Sequence, residues 1–408
     1  MAIRKRTWQS GGEAKTAWVV DYSDQHGTRR LKTFRTKRAA TDWATAAGYE
    51  VKQGVHTAAS VSITVKKAGE LWIANGKADG LERATTRQYQ QHIDLHIVPW
   101  GGDKKLSDLT APMIKDFETW LRDNGRSPAM VRKVVGSLGA LLADAQEAGR
   151  VARNVVRERR RPRRHKAQAK RQKRRLEIGR DIPSPAEVKA LLVAASGKER
   201  PIIVTAAFTG MRASELRGLT WDSVDLDGKV IHVRQRADRW NAPGAPKSEA
   251  GQRSIPMTPL VANTLREWKL ACPRHGVIRD QEGKVVDPGK LLYVFPNGAG
   301  NIENHGNLYA RIFVPAWLAA GAVETGKLGS EGQPVLKAKY GIHALRHFYA
   351  SWLLGEKARG GLEVSPKRAQ TLLGHSGIQM TMDTYGHLQP PKGDEADEFA
   401  EGEAALLA

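Results

Sequence analysis

Two histidines, an arginine and a tyrosine that could share one task fall within 45 residues near the end of this chain. The stretch opens His343-Ala-Leu-Arg346-His347 and closes Leu373-Gly374-His375 … Thr384-Tyr385-Gly386-His387. An arginine offers a planar fork of donors that stays charged and fits an oxyanion. Imidazoles move protons near neutrality, and a phenol is a nucleophile once its proton is managed. Together these types make a site for an anion and a nucleophile. His343 and Arg346 are three apart on a helical pattern and share a face, with Leu345, Phe348, Tyr349 and Trp352 on the apolar side.

Further upstream, Thr209-Gly210-Met211-Arg212 reads as a turn and Ala213–Gly218 as a short helix. Arg212 and Glu215 are again at i, i+3. Lys247 sits in a Pro/Gly-rich hairpin tip. Each residue also has an ordinary explanation. Arg212 and Glu215 could be a local ion pair, and Lys247 a loop lysine. His375 could cap the helix that Gly374 ends, and Tyr385, in phase with Ile378 and Met382, could be a core tyrosine.

The elements that must position these groups follow from pattern. The chain has 408 residues and a formal net charge of +22, so several domains and a polyanionic partner are expected. Nucleic acid is the first candidate and an anionic membrane surface the second. No apolar run is long enough to span a bilayer, and the N-terminus has no signal-peptide core. One cysteine, Cys272, excludes internal disulfides and suits a reducing cytoplasm. Cys272-Pro-Arg-His275 reads as an isolated thiol in a loop rather than half a metal site.

Residues 1–58 read as a small basic α+β unit, with strands at Trp18–Tyr22 and Arg29–Phe34 and a short helix from Thr36 that Gly48 ends. Residues 62–156 read as helical, with Pro99–Gly102 breaking one run, Thr110 and Ser127 starting others, and Val131, Val134, Val135, Leu138, Leu141 and Leu142 on a core stripe. Residues 157–180 are a basic linker. Over 157–175, twelve of nineteen residues are Lys or Arg. Such a run repels itself and is read here as lying along a phosphate backbone, through Arg159, Arg160, Arg161, Arg163, Arg164, Lys170, Arg171, Lys173, Arg174 and Arg175. From 181 to 390 a third unit mixes helices with a strand pair, Lys229–Arg234 and Arg253–Met257. Ser184-Pro185-Ala-Glu187 has the capping-box pattern. Residues 391–408 form an acidic tail.

The order Arg … Lys … His-x-x-Arg … His … Tyr, in the settings Thr-Gly-Met-Arg212-Ala-Ser-Glu-Leu, His343-Ala-Leu-Arg346-His and Leu-Leu-Gly-His375-Ser … Thr-Tyr385-Gly-His, resembles the tyrosine recombinase family, the integrases of phages and mobile elements. The resemblance implies a multidomain, mainly α fold with small β-sheets. Residues 1–58 would be an arm-type DNA-binding domain, 62–156 a helical core-binding (SAM-like) domain, and 181–390 a mixed α/β catalytic domain. The first two domains match on less specific motifs than the catalytic domain. The segments 270–290 and 323–334 look like insertions in that domain.

The same resemblance implies roles. Tyr385 would attack a backbone phosphodiester and form a covalent 3′-phosphotyrosine, with a 5′-hydroxyl released. Arg212 and Arg346 would clamp the non-bridging oxygens, and Lys247 would protonate the departing 5′-oxygen. His343 would handle the tyrosine proton and His375 would hydrogen-bond the phosphate. Glu215 would orient Arg212 or His343. Two arginines and a lysine supply the cationic charge, so no metal and no cofactor are implied. The implied partner is double-stranded DNA at attachment sites, held in a C-shaped clamp by a homo-tetramer in a bacterial cytoplasm, with accessory bending or directionality factors and no membrane. The acidic tail, with Phe399, Leu406 and Leu407, would dock on a neighbouring protomer. Two rivals share features of this pattern: a type IB topoisomerase, and a non-catalytic DNA-binding regulator on the same fold.

Overall fold

The structure is a computed structural model that describes residues 1–11, 13–24, 26–54, 56–58, 61–158, 175–279, 283–328, 334–388 and 403–404. The chain divides into two compact units, one up to Lys170 and the other from Arg171. Most of the basic linker, Arg159 to Arg174, lies outside the described residues, as does the acidic tail apart from Glu403 and Ala404; Arg175 is described and exposed.

The first unit opens with a three-stranded antiparallel sheet, β1 (Ala2–Ser10), β2 (Glu13–Ser23) and β3 (Arg29–Phe34), in the order β1-β2-β3. Strand β1 was not expected, because its Arg-Lys-Arg run carries little apolar alternation. It is an edge strand, exposed almost throughout, held by the ladder to β2 rather than by burial. One face of the sheet packs Val20, Tyr22 and Trp18 on helix α1 (Lys37–Lys52). That helix runs through Gly48 instead of stopping there. A helical glycine costs only about 1 kcal/mol, and the extra turn brings Val51 against the sheet core.

A separate helical core follows, from α2 (Val65–Ala78), α3 (Arg83–His92), α4 (Val98–Gly101), α5 (Ala111–Asp123) and α6 (Pro128–Glu147). Thr64 and Ser127 cap α2 and α6 through their side chains. Thr110 occupies the N-cap position of α5, without a side-chain cap bond. The run from α3 to α4 passes through a π-helical turn, Ile93–Ile97, and the wider turn accommodates Pro99, so the helix ends at Gly102 instead of breaking at the proline. The stripe of Val131, Val134, Val135, Leu138, Leu141 and Leu142 is buried as expected.

The second unit begins with α7 (Pro185–Ala194), whose capping box is complete: Ser184 Oγ accepts from the Glu187 amide and the Glu187 carboxylate accepts from the Ser184 amide. Helices α8 (Glu199–Thr209) and α9 (Ala213–Gly218) follow. A three-stranded antiparallel sheet comes next, β4 (Val224–Asp225), β5 (Val230–Val233) and β8 (Arg253–Pro256), with Ile231 opposite Ile255. Between β5 and β8 a small hairpin, β6 (Arg236–Ala237) and β7 (Pro243–Gly244), carries the loop to Lys247. Helix α10 (Pro259–Ala271) leads to the first insertion, which forms a hairpin of β9 (Ile278–Arg279) and β10 (Val285–Asp287). Cys272 ends α10 and is buried, not in an open loop, with Sγ 3.5 Å from the Tyr293 carbonyl oxygen. After α11 (His305–Leu308) and α12 (Val314–Ala319), the second insertion is another hairpin, β11 (Val323–Leu328) and β12 (Pro334–Ala338). The unit closes with α13 (Ile342–Leu354), α14 (Pro366–Leu373) and α15 (Ile378–Tyr385). Its main core centres on α8, α10 and α12, around Ile203, Leu265, Phe313 and Trp317, and a smaller core joins α13 to α14 and α15. Among the described residues no helix is long and apolar enough to cross a membrane.

Candidate active site

The site gathers at the C-terminal end of α14. Gly374 takes a left-handed conformation there (φ 66°), and the His375 amide turns back to the Gln370 carbonyl oxygen at 3.2 Å. The last carbonyls of a helix lack intrahelical partners and carry the negative end of its dipole. Here three successive carbonyls each accept from a different arginine. Leu372 accepts from Arg253 Nε at 2.7 Å, Leu373 from Arg346 Nη2 at 2.5 Å, and Gly374 from Arg212 Nη2 at 3.0 Å. Three guanidinium groups that would repel one another are thus held by one helix terminus.

A second left-handed glycine answers the first. Gly210 ends α8 (φ 57°), and its carbonyl accepts from Arg346 Nη1 at 2.7 Å. A Cβ at Gly210 would lie 2.4 Å from the Tyr349 ring, so the turn beside Arg212 tolerates only glycine. Arg346 is 2% exposed. Burial, with the Arg212 guanidinium second, pushes its pKa down to about 9, a destabilisation of charge that an incoming anion would reverse.

Arg212 stands at the N-cap of α9 and is the more open of the two clamps. Its Nη1 donates to Glu215 Oε1 at 2.7 Å, and its amide to Glu215 Oε2 at 2.8 Å. Glu215 is 2% exposed. Its stronger partner is Arg253, whose Nη2 and Nη1 approach it at 2.8 and 3.2 Å with both side chains buried. Burial raises the Glu215 pKa, but the Arg253 bonds, followed by Arg212, outweigh it and hold the carboxyl below its usual range. Glu215 therefore bonds Arg212, one of the two residues it was expected to orient. Arg253 had no place in the sequence reading. The signal was present: it alternates with Ile255 on the inward face of β8, and a charge on a core face needs a partner.

Tyr385 ends α15, is 2% exposed and belongs to the smaller core. Its Oη lies 2.7 Å from His347 Nδ1. Burial pushes the phenol up to about 12, against the opposing pull of Arg346 and Arg212. His375 is buried, bonds Thr381 Oγ1 through Nδ1 at 2.9 Å, and lies parallel to the Tyr385 ring at 6.4 Å between centroids. Burial first, then Arg346 and Arg212, lower His375 to about 4, so it is neutral at pH 7 with Nε2 left over from the Thr381 bond. His343 is solvent-exposed and meets the His347 ring edge-on at 4.7 Å, not the tyrosine. Desolvation, with Arg346 and Arg212, also lowers its pKa. His347 was passed over in the sequence, although it is four residues from His343 and so on the same helical face.

Lys247 is exposed in the loop after β7. That loop is anchored at both ends. Arg217, 2% exposed, donates Nε to the Glu303 carbonyl at 2.7 Å and Nη1 to the Asp238 carbonyl at 3.0 Å, and bonds Asn241 Oδ1. At the far end Arg253 Nη1 donates to Gly251 O at 3.0 Å. The structure thus brings together Arg212, Glu215, Arg346, His375 and Tyr385, sets His343 at the edge, and leaves Lys247 on a tethered surface loop.

Comparison with known proteins bears on the family and the fold. Residues 184–391, just over half of the chain, match the phage integrase family. A XerC-like tyrosine recombinase of Caldanaerobacter subterraneus subsp. tengcongensis is 24% identical over 98% of both chains. An integrase of Streptomyces ambofaciens is 29% identical over 55% of this chain and 57% of its own length. Among solved structures, the Tn1549 transposon integrase in complex with a circular intermediate DNA superposes with a TM-score of 0.59 at 20% identity, over 85% of this chain and all of that one. A lambda integrase dimer bound to a core site gives 0.52 at 18% identity, over 81% and 97%. These structural likenesses are of fold. With the sequence match, and with a phenol, two clamped arginines and a buried carboxylate at one helix terminus, the chain belongs to the phage integrase family of site-specific tyrosine recombinases.

Proposed function

We propose that this recombinase integrates or excises a mobile element by cleaving and rejoining duplex DNA at attachment sites through a covalent 3′-phosphotyrosine on Tyr385. The observation that carries the reading is the convergence of Arg346 and Arg212 on the carbonyl end of α14, with Tyr385 bonded to His347 of α13 and its ring parallel to that of His375 just past that end. Arg212 and Arg346 bind the non-bridging oxygens of the scissile phosphate, where charge builds as the bond to Tyr385 forms. His375 offers Nε2 to the same phosphate. Lys247, brought in on its loop, protonates the departing 5′-oxygen. Glu215 keeps Arg212 in register. A histidine of α13 takes the tyrosine proton. Covalent capture conserves the phosphodiester energy, so rejoining needs no nucleotide cofactor.

Three domains deliver the DNA in this reading. Residues 1–58 bind arm-type sites with the sheet face opposite α1, where β-pairing aligns Arg4, Arg6, Trp8, Lys15 and Arg29. Residues 62–156 bind the core site. The basic linker of 157–180 tracks phosphates, which makes binding strongly salt-dependent. Four copies act on two duplexes in the cytoplasm of a bacterial host, with accessory bending factors, and the tail of 391–408 docks between them.

The test is a nicked suicide duplex that traps the cleaved state. Wild type gives a covalent protein–DNA adduct; Tyr385→Phe binds the same duplex and gives none. An adduct from the Phe variant would move the nucleophile to another residue, with Tyr340 and Tyr349 next.

A further inference from the structure

The proton on Tyr385 has two candidate acceptors one turn apart on α13, and the structure separates them. His347 Nδ1 is 2.7 Å from Tyr385 Oη, a short hydrogen bond between buried or half-buried groups. His343, the residue expected in this role, is exposed and packs its ring on His347. We propose that His347 is the catalytic base that accepts the Tyr385 proton during cleavage and returns it during rejoining, while His343 acts on the phosphate side of the site. The proposal rests on the recombinase reading and assigns a proton that reading leaves open.

The step balances as follows. Oη of Tyr385 forms a bond to phosphorus, and the bond from phosphorus to the 5′-oxygen breaks. The tyrosine proton passes to His347 Nδ1, and Lys247 supplies a proton to the 5′-oxygen. Rejoining reverses each transfer. His347 must enter with Nδ1 bare and Nε2 protonated. Four charged or titratable groups face it: His343 and Arg346 on its own helix, Tyr385 on α15, and Asp181 on the segment before α7. Burial, then His343 and Arg346, hold His347 down to about 4, so in the empty site it is neutral and the proton stays on the phenol. Two changes then favour transfer. A phosphate between Arg346 and Arg212 offsets the Arg346 charge that adds to burial and His343 in depressing His347. As Oη becomes an ester oxygen, its proton grows acidic. The base is thus weak until DNA arrives and strengthens as the bond forms, which keeps an empty enzyme from carrying a free phenolate.

Single-turnover adduct formation on the nicked duplex, with oxygen or with sulfur as the bridging 5′ atom, tests this. A thiolate leaves without a proton, so sulfur relieves a missing acid but not a missing base. His347→Phe should slow adduct formation by ~10²–10⁴-fold on both substrates, the usual contribution of a positioned general base. Lys247→Ala should be slow on oxygen and recover on sulfur. His347→Gln, which keeps an acceptor for the hydroxyl but takes no proton, should be as slow as Phe, and added imidazole should partly restore His347→Gly. Binding of the uncut duplex checks that each variant is folded. The proposal is overturned if His347→Gln cleaves within about threefold of wild type, if sulfur restores the His347 variants, or if imidazole leaves His347→Gly unchanged. It is also overturned if His343→Phe, and not His347→Phe, shows the sulfur-insensitive loss. Should wild type form no adduct while binding the duplex, the recombinase reading itself fails and this assignment falls with it.

Discussion

Each unit of this chain sets a histidine against a hydroxyl at the same distance, and the two pairs differ in the charges around them. In the helical core of the first unit, His92 Nδ1 lies 2.7 Å from Ser137 Oγ, with His96 beside it. In the second, His347 Nδ1 lies 2.7 Å from Tyr385 Oη, with His343 beside it. Burial lowers the pKa of all three histidines His92, His96 and His347. The difference is in what faces the pair. Around His92 the charge that acts on it, after His96, is that of Lys133, an exposed side chain. Around Tyr385 stand Arg346 and Arg212, tied to backbone carbonyls with donors to spare. A buried histidine–hydroxyl pair is a packing device until clamped cations give it an anion to act on.

The largest effect expected from disturbing this contrast is at Arg253. Arg253→Leu strands Glu215 as a buried, half-paired charge and should destabilise the chain by about 3–5 kcal/mol in urea unfolding. Glu215→Leu on top of it should recover part of that loss, and strict additivity of the two would mean that they do not act as a pair. Next, Arg346→Ala should slow adduct formation by ~10²–10³-fold in single turnover, the loss typical of one oxyanion donor. Lys133→Ala, the corresponding charge beside His92, should leave melting within about 0.5 kcal/mol of wild type. Ser137→Ala should lower stability by about 1–3 kcal/mol, because His92 loses its partner in a buried site, yet the folded variant should cleave at the wild-type rate. A cleavage defect there would erase the distinction between the two pairs.

A further contrast is in pH. His92 and His96 are held below their usual value by burial, and His347 and His375 at about 4. Unfolding restores a histidine to roughly 6.5, so below that value the unfolded chain binds more protons than the folded one. Stability is therefore full above about pH 6.5 and falls as the pH drops, down to about 4 for His347 and His375. Inorganic phosphate should raise the titration of His347, followed by its imidazole proton resonances, and leave His92 where it was. An equal response from both would show that the anion does not lodge between the arginines.

Much of this was legible in the sequence. Local rules gave the capping box at Ser184, the glycine stop at Gly374 and the buried stripe of α6, because each depends on neighbours within a turn. The boxes around Arg212, His343, Arg346 and Tyr385 carried their chemistry in residue type and order. What escaped depends on distant partners. Strand β1 is held by a ladder to β2 that no apolar alternation announces. Helix α1 outlasts Gly48 because Val51 meets a sheet formed earlier in the chain. The segments 270–290 and 323–334 showed their composition but not their pairing into hairpins. Arg253 and His347 escaped for the same reason: their partners, Glu215 and Tyr385, are 38 residues away in each case.

The shared helix end also sets an order of assembly. A ribosome releases Arg212 first, then Arg253, then Arg346, and Leu372, Leu373 and Gly374 only afterwards. Glu215 can pair Arg212 with Arg253 earlier, but until those three carbonyls emerge nothing binds all three guanidinium groups at one helix end. Tyr385 follows eleven residues after Gly374. The site is complete only after Tyr385 as well has emerged.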